Sequence, residues 1–336
     1  MKHSKKKAKG HLPVLAALIG NIFITILKFI GASISGSTIL FSEAIHSLAD
    51  VFNQVLLFIG IVRSKKAPDA NFIYGYGHER FFWALVSACG VFFMGAGVTM
   101  YSGIHNLFSE KEVMLSQAVY IILFVSFVVE FITFLLALRE MDIKNKGGLL
   151  KAIKHGDPST LAVFYEDGVA VIGVVVAILS ITLVKITGYL FWDSVGSIII
   201  GLLLGTIALI LINKNRTFLI EKSIPLKITD GIVRKLGKDP MIEKVIDFKS
   251  SILDIDNYRI KCEVEINGSV LFQEAFKKKE LKAQHKNIKD DYDEFVKFCA
   301  DYADQIPRII GKRIDLLERE IKEEIPNVKH IDIEIN

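Results

Sequence analysis

The chain has 336 residues, of which 51% are hydrophobic, and its mean hydropathy of +0.40 is too high for an ordinary soluble domain of this size. Charged residues are sparse before about residue 213 and dense after it, which predicts a membrane part followed by a soluble part. The net charge of +4 gives no support to nucleic-acid binding, and the three separated cysteines exclude a disulfide framework and a thiolate zinc site.

Six apolar stretches follow a Lys-rich tail, residues 1–11, and each is long enough as a helix to cross a hydrocarbon layer of about 30 Å. Lys and Arg are concentrated in that tail and in the loops 63–80 and 139–160. Because positive loops stay inside, this pattern predicts that both termini are cytoplasmic. We expect a multi-pass protein of the lipid bilayer, in the inner membrane of a prokaryotic cell. The six stretches are 12–34, 38–62, 81–107, 115–138, 161–184 and 190–212.

The second stretch contains three ionisable residues, Glu43, His46 and Asp50, spaced i, i+3 and i+7. A helix places them on one face, and side chains of this kind inside a bilayer usually face a bundle interior or a cavity. His46 and Asp50 are one turn apart, so they could chelate one divalent cation if a second helix completed the shell. The fifth stretch offers Glu166 and Asp167. The alternative is a buried hydrogen-bonded pair that fixes helix packing.

Three other charged residues fall within the apolar stretches. Lys28 and Asp193 lie near helix ends, where Lys28 could extend to the interface and Asp193 could cap the start of the sixth helix. Glu130 lies deeper, so it requires a basic partner or a proton.

The pattern after Lys214 predicts an amphipathic helix at 228–236, strands at 245–250 and 258–266, a charged helix at 292–324 and a terminal strand at 328–335. Pro307 is expected to break or kink the long helix. The predicted fold is therefore an α-helical membrane protein, with six transmembrane helices at 12–213 and a small cytoplasmic α+β (ferredoxin-like) domain at 214–336. A charged insertion near 271–291 reads as a solvated surface without a partner.

Six further runs of the sequence are Glu43–Asp50, Met94–Gly97, Asp157–Thr160, Glu166–Asp167, Asp193–Ser197 and Asn327–Ile335. Together they resemble the cation diffusion facilitator family, most of all its zinc transporter 9 branch, over essentially the whole chain. The resemblance implies a homodimeric, proton-coupled exporter of a divalent metal that works by alternating access and is not an enzyme. Zn²⁺ is the first expectation, and Mn²⁺, Fe²⁺ or Co²⁺ are alternatives because one imidazole with carboxylates also suits them.

The family's metal ligands carry over incompletely. Its second-helix pair falls on His46 and Asp50, but its fifth-helix pair falls on Val163 and Asp167, and valine cannot bind a metal. Glu166, Glu43 or water could fill the open position; adjacent helical residues point about 100° apart, which makes Glu166 awkward.

The resemblance also implies a basic–acidic interlock of the dimer, on Arg80 and Glu221. The remaining alternative function is a metal-binding membrane sensor or scaffold without transport. An intramembrane metallohydrolase is disfavoured because the chain lacks HExxH.

Overall fold

The computed structural model describes residues 12–108, 117–141, 148, 158–255, 257–276, 281–282, 285–286 and 288–336. The chain divides into two compact units, described separately below: Met1–Ala67 with His78–Leu219, and Pro68–Gly77 with Ile220–Asn336. The predicted tail 1–11 lies outside the described residues, as do parts of the charged insertion, at 277–280, 283–284 and 287.

The first unit is helical, and each of the six predicted stretches forms a helix close to its predicted bounds. The third stretch is continuous from Glu79 to Leu107 but changes to a π-helix in its middle. The last helix continues to Leu219, beyond the predicted domain limit at 213. The elements are α1 (Leu12–Ser35), α2 (Thr38–Ser64), α3 (Glu79–Gly90), the π-helical segment (Val91–Gly97), α4 (Val98–Leu107), α5 (Gln117–Glu140), α6 (Pro158–Thr187) and α7 (Phe191–Leu219).

Five helices among the described residues are long and apolar enough to cross a membrane. They carry large hydrophobic side chains on the outside, such as Phe124 and Leu179, while their polar side chains, such as His46, are buried. This is the arrangement expected where the surrounding medium is lipid. In α1 the apolar helical part is Gly20–Ser35, which is shorter than the other five spans. The sixth membrane span therefore stays a prediction. The five spans are Thr38–Ser64, Glu79–Leu107, Gln117–Arg139, Phe164–Thr187 and Phe191–Leu219.

The start of α2 is fixed from two sides. Gly36 turns the chain after α1 with a φ of 67°, and the Ser37 hydroxyl caps α2 by accepting from the Leu40 amide. Asp193 in the first turn of α7 adds a second cap. Its carboxylate accepts from the Thr38 amide at 2.6 Å and from the Ser37 hydroxyl at 2.5 Å. The sequence predicted that Asp193 caps its own helix. That prediction was wrong, because the free amides that it reaches belong to α2.

Glycines let α7 approach its neighbours closely. A methyl group at Gly196 would overlap the Ser180 hydroxyl of α6 and the Ile39 side chain of α2. At Gly201 it would lie 2.5 Å from the Met100 side chain of α4. These close approaches let α7 pack directly against α2, α4 and α6.

The second unit is α+β, as predicted. Its elements are α8 (Leu226–Leu236), β1 (Ile242–Asp254), β2 (Asn257–Ile266), α9 (Gly268–Ala275), α10 (Tyr292–Glu324) and β3 (Val328–Ile335). β2 is central in the sheet, antiparallel to β1 and parallel to β3. A parallel pair needs a crossover connection, which α9 and α10 provide. The core contains Leu236 of α8, Val264 of β2 and Ile321 of α10.

α10 continues through Pro307 without ending, so the predicted break is absent. Pro68–Gly77, the connection between α2 and α3, belongs to this unit. In that connection the Tyr74 ring lies between the Arg259 guanidinium, 4.1 Å from the ring centroid, and the His330 ring, at 5.1 Å. Arg259 and His330 are paired on β2 and β3, so the connection contacts both strands of the parallel pair.

Candidate metal centre

His46 and Asp50 form the pair that their spacing predicts. The imidazole Nε2 lies 3.6 Å from Asp50 Oδ2, which is beyond hydrogen-bond length. His46 is 1% exposed, and neither of its ring nitrogens has a hydrogen-bond partner among the described residues. A buried polar group without a partner is costly, so this imidazole has its lone pair free for a ligand from outside the chain.

Carboxylates of α2, α5 and α6 line one cavity of about 60 Å³. Asp50 of α2 reaches it from one side, and Glu166 and Asp167 of α6 reach it from the other. Glu130 of α5 also lines the wall. Side chains of opposite helices that converge on a small polar cavity can surround one cation or a few water molecules.

Glu166 lies in the cavity wall beside Asp167, although the 100° between neighbouring helical residues made this position awkward. A hydrogen-bond chain holds it there: the Asn53 side-chain amide donates to Glu166 Oε2, and the Ser87 hydroxyl donates to Asn53 Oδ1. Asn53 and Ser87 are both buried, on α2 and α3. One oxygen of Glu166 is therefore already engaged, which leaves the other for the cavity.

The prediction that Lys28 extends to the membrane interface was wrong. Lys28 is fully buried and donates to Glu43 Oε2 at 2.8 Å and to Glu130 Oε1 at 2.6 Å. Glu130 thus has the basic partner that its depth required. The sequence could have indicated this cluster, because one Lys and two Glu residues fall in three apolar stretches and buried charges must pair. The pairing disfavours Glu43 as the replacement for Val163, and Glu166 or water remain.

The candidate ligands are near one another but do not form a closed coordination shell. No group of three or more His, Cys, Asp or Glu side chains in the described part of the chain lies close enough to hold a metal ion. Val163 lies in α6, and its side chain is outside the described residues. Arg80 belongs to the first unit and Glu221 to the second, so the predicted interlock stays a prediction.

Comparison with known proteins decides the family. Residues 14–220 match the cation efflux transmembrane domain. The chain belongs to the cation efflux (cation diffusion facilitator) family. It is 32% identical over 333 residues to metal tolerance protein C4 of Arabidopsis thaliana, covering 96% of this chain and 72% of that protein. It is 34% identical over 328 residues to the mitochondrial proton-coupled zinc antiporter SLC30A9 of Homo sapiens, covering 96% of this chain and 58% of that protein.

The expected resemblance to the zinc transporter 9 branch is therefore confirmed. This cation efflux protein is a multi-pass integral membrane protein that transports metal cations, and it is a transporter and not an enzyme. A more distant relative is the uncharacterized transporter MJ0449 of Methanocaldococcus jannaschii, which is 21% identical over 262 residues.

Proposed function

We propose that the protein is a proton-coupled efflux transporter of divalent metal, with Zn²⁺ as its main substrate, and that it works by alternating access as a homodimer. The observation that carries the proposal is the buried imidazole of His46, which has no hydrogen-bond partner among the described residues. It lies one turn from Asp50, whose carboxylate opens onto a cavity that three more carboxylates also line. The human relative is a proton-coupled zinc antiporter, which supports both the metal and the coupling ion.

In this proposal His46, Asp50 and Asp167 bind the metal, and Glu166 or water takes the position of Val163. One imidazole nitrogen with carboxylate oxygens suits tetrahedral Zn²⁺. The hard oxygen donors would also admit Mn²⁺, Fe²⁺ or Co²⁺. Because the structure describes no closed shell, the metal itself would draw the α2 and α6 ligands together, which links binding to a movement between these helices.

Proton coupling follows from the same ligands. Imidazole and carboxylate bind metal only when they are deprotonated, so metal entry releases protons and a low external pH returns them. Alternating access would expose the cavity first to one side of the membrane and then to the other. The family resemblance implies export from the cytoplasm, and an inner membrane of a prokaryote remains the predicted host.

The test is metal uptake into proteoliposomes that contain the purified full chain, under an imposed pH gradient. We expect Zn²⁺ flux that follows the gradient in the wild type and no flux in Asp50→Ala or Asp167→Ala. Glu294→Ala is the matched control, since it removes an exposed carboxylate of α10 and should leave flux unchanged. Near wild-type flux in both cavity variants would exclude the proposed ligands.

A second outcome separates transport from sensing. Protein that binds Zn²⁺ but moves none under any gradient would be a metal sensor or scaffold. Parallel uptake of Mn²⁺ ranks the two metals, and crosslinking in the liposomes tests the homodimer.

A further inference from the structure

A second ionic cluster lies within the helices of the first unit, built from Lys28 of α1, Glu43 of α2 and Glu130 of α5. The Lys28 ammonium donates to both carboxylates, at 2.8 Å and 2.6 Å. The side chains of Lys28 and Glu43 are 0% exposed, and that of Glu130 is 13% exposed. A buried ionic cluster of this kind is stable only when its charges nearly cancel, because no water surrounds it to stabilise an excess charge.

The cluster has one carboxylate too many. One ammonium and two ionised carboxylates sum to a net charge of −1 in a buried position. Each carboxylate also has an oxygen without a hydrogen-bond partner among the described residues, Glu43 Oε1 and Glu130 Oε2. Glu43 Oε1 lies against Gly173 of α6, where a methyl group would come within 2.5 Å of it, and glycine Cα offers no strong donor. A single added proton would neutralise the cluster.

Glu130 is the member that can exchange this proton. It alone has some exposure, and it alone lines the cavity that Asp50, Glu166 and Asp167 also line. The charged and titratable groups around it come from three helices. Lys28 on α1 donates to it, and Glu43 on α2 shares the same ammonium. Asp50 on α2 and Glu166 and Asp167 on α6 line the same cavity.

We propose that the Lys28–Glu43–Glu130 cluster is a proton-binding site distinct from the metal ligands, and that Glu130 carries a proton which leaves when metal enters the cavity. The inference rests on the proposed function, because it assigns a place to one of the coupled protons. On binding, a proton from water joins a Glu130 oxygen and the cluster changes from −1 to neutral. When a divalent cation binds at Asp50 and Asp167, its charge opposes this proton and compensates the ionised cluster, and the proton returns to water.

The test counts the protons that the full-length protein releases when it binds Zn²⁺. Calorimetric titration in two buffers of different ionisation enthalpy gives this number. Glu130→Gln mimics the protonated carboxyl, so it should bind Zn²⁺ and release about one proton fewer per metal than the wild type. Glu43→Gln should have the same effect by a different route, because it leaves one ammonium and one carboxylate and no need for a proton.

Two controls define the baseline. Glu130→Asp keeps a titratable carboxyl and should keep the wild-type count. Glu294→Gln on α10 makes the same chemical change at an exposed residue and should also keep it.

An unchanged proton count in folded Glu130→Gln or Glu43→Gln would overturn the proposal. Failure of both variants to yield folded protein would also overturn it, because the cluster would then serve structure alone. The proposed function is judged separately: a wild type that binds no Zn²⁺ or releases no protons refutes that function and this inference with it. A wild type that releases protons beside variants that release as many refutes the inference alone.

Discussion

The cap that α7 provides for α2 gives a prediction with a magnitude. Asp193 is 2% exposed and accepts from the Thr38 amide at 2.6 Å and the Ser37 hydroxyl at 2.5 Å. Asp193→Ala removes both acceptors and leaves a buried amide unpaired. A hydrogen bond to a charged group contributes about 1.5–3 kcal/mol, and a lost helix cap costs about 1 kcal/mol. Since Ser37 still caps Leu40, we expect a total loss of about 2–4 kcal/mol.

The assay is thermal unfolding of the purified protein in detergent. In a unit of this size 1 kcal/mol corresponds to roughly 2–4 °C, so Tm should fall by roughly 5–15 °C. Asp193→Asn keeps one carbonyl acceptor and should lose less than half as much. A Tm of Asp193→Ala within about 1 °C of the wild type would show that the contact does not stabilise α2. Because α2 carries His46 and Asp50, Zn²⁺ affinity should fall together with Tm.

Three further predictions concern the metal site, the dimer and the second unit. Val163→His should complete an N₂O₂ shell and tighten Zn²⁺ relative to Mn²⁺; unchanged selectivity in binding titrations would mean that position 163 does not face the site. Arg80 and Glu221 should show a coupling of up to about 1 kcal/mol in a double-mutant cycle of dimer stability, and zero coupling contradicts the interlock. Burial, with Lys322 and Arg259 nearby, lowers the pKa of His330 from its usual 6.5. The folded state therefore favours the neutral ring, so stability is present above about pH 6.5 and is lost as pH falls. Thermal unfolding of His330→Gln should depend less on pH between about 7 and about 5 than that of the wild type.

Periodicity and local chemistry determined the elements of this protein. Long apolar runs can bury their backbone polar groups in lipid only as helices, so their positions could be read directly, within a few residues. The one-turn spacing of His46 and Asp50 depends on the helix alone, and their contact followed from it. β3 was predicted at its observed bounds and β2 within one residue for a similar reason, since alternation in the sequence marks a half-buried strand.

Only the tertiary structure decided how the polar residues are paired between helices. Lys28 finds Glu130 across 102 residues of sequence, and Asp193 caps a helix that starts 155 residues earlier. The sequence near either residue looks the same whether the side chain reaches an interface, caps its own helix or joins a buried cluster. The choice depends on which helices pack together, and a larger side chain at a close approach such as Gly196 would prevent the observed packing. The cavity of Asp50, Glu166 and Asp167 exists for the same reason: each helix supplies its carboxylates, and the packing of the helices brings them together.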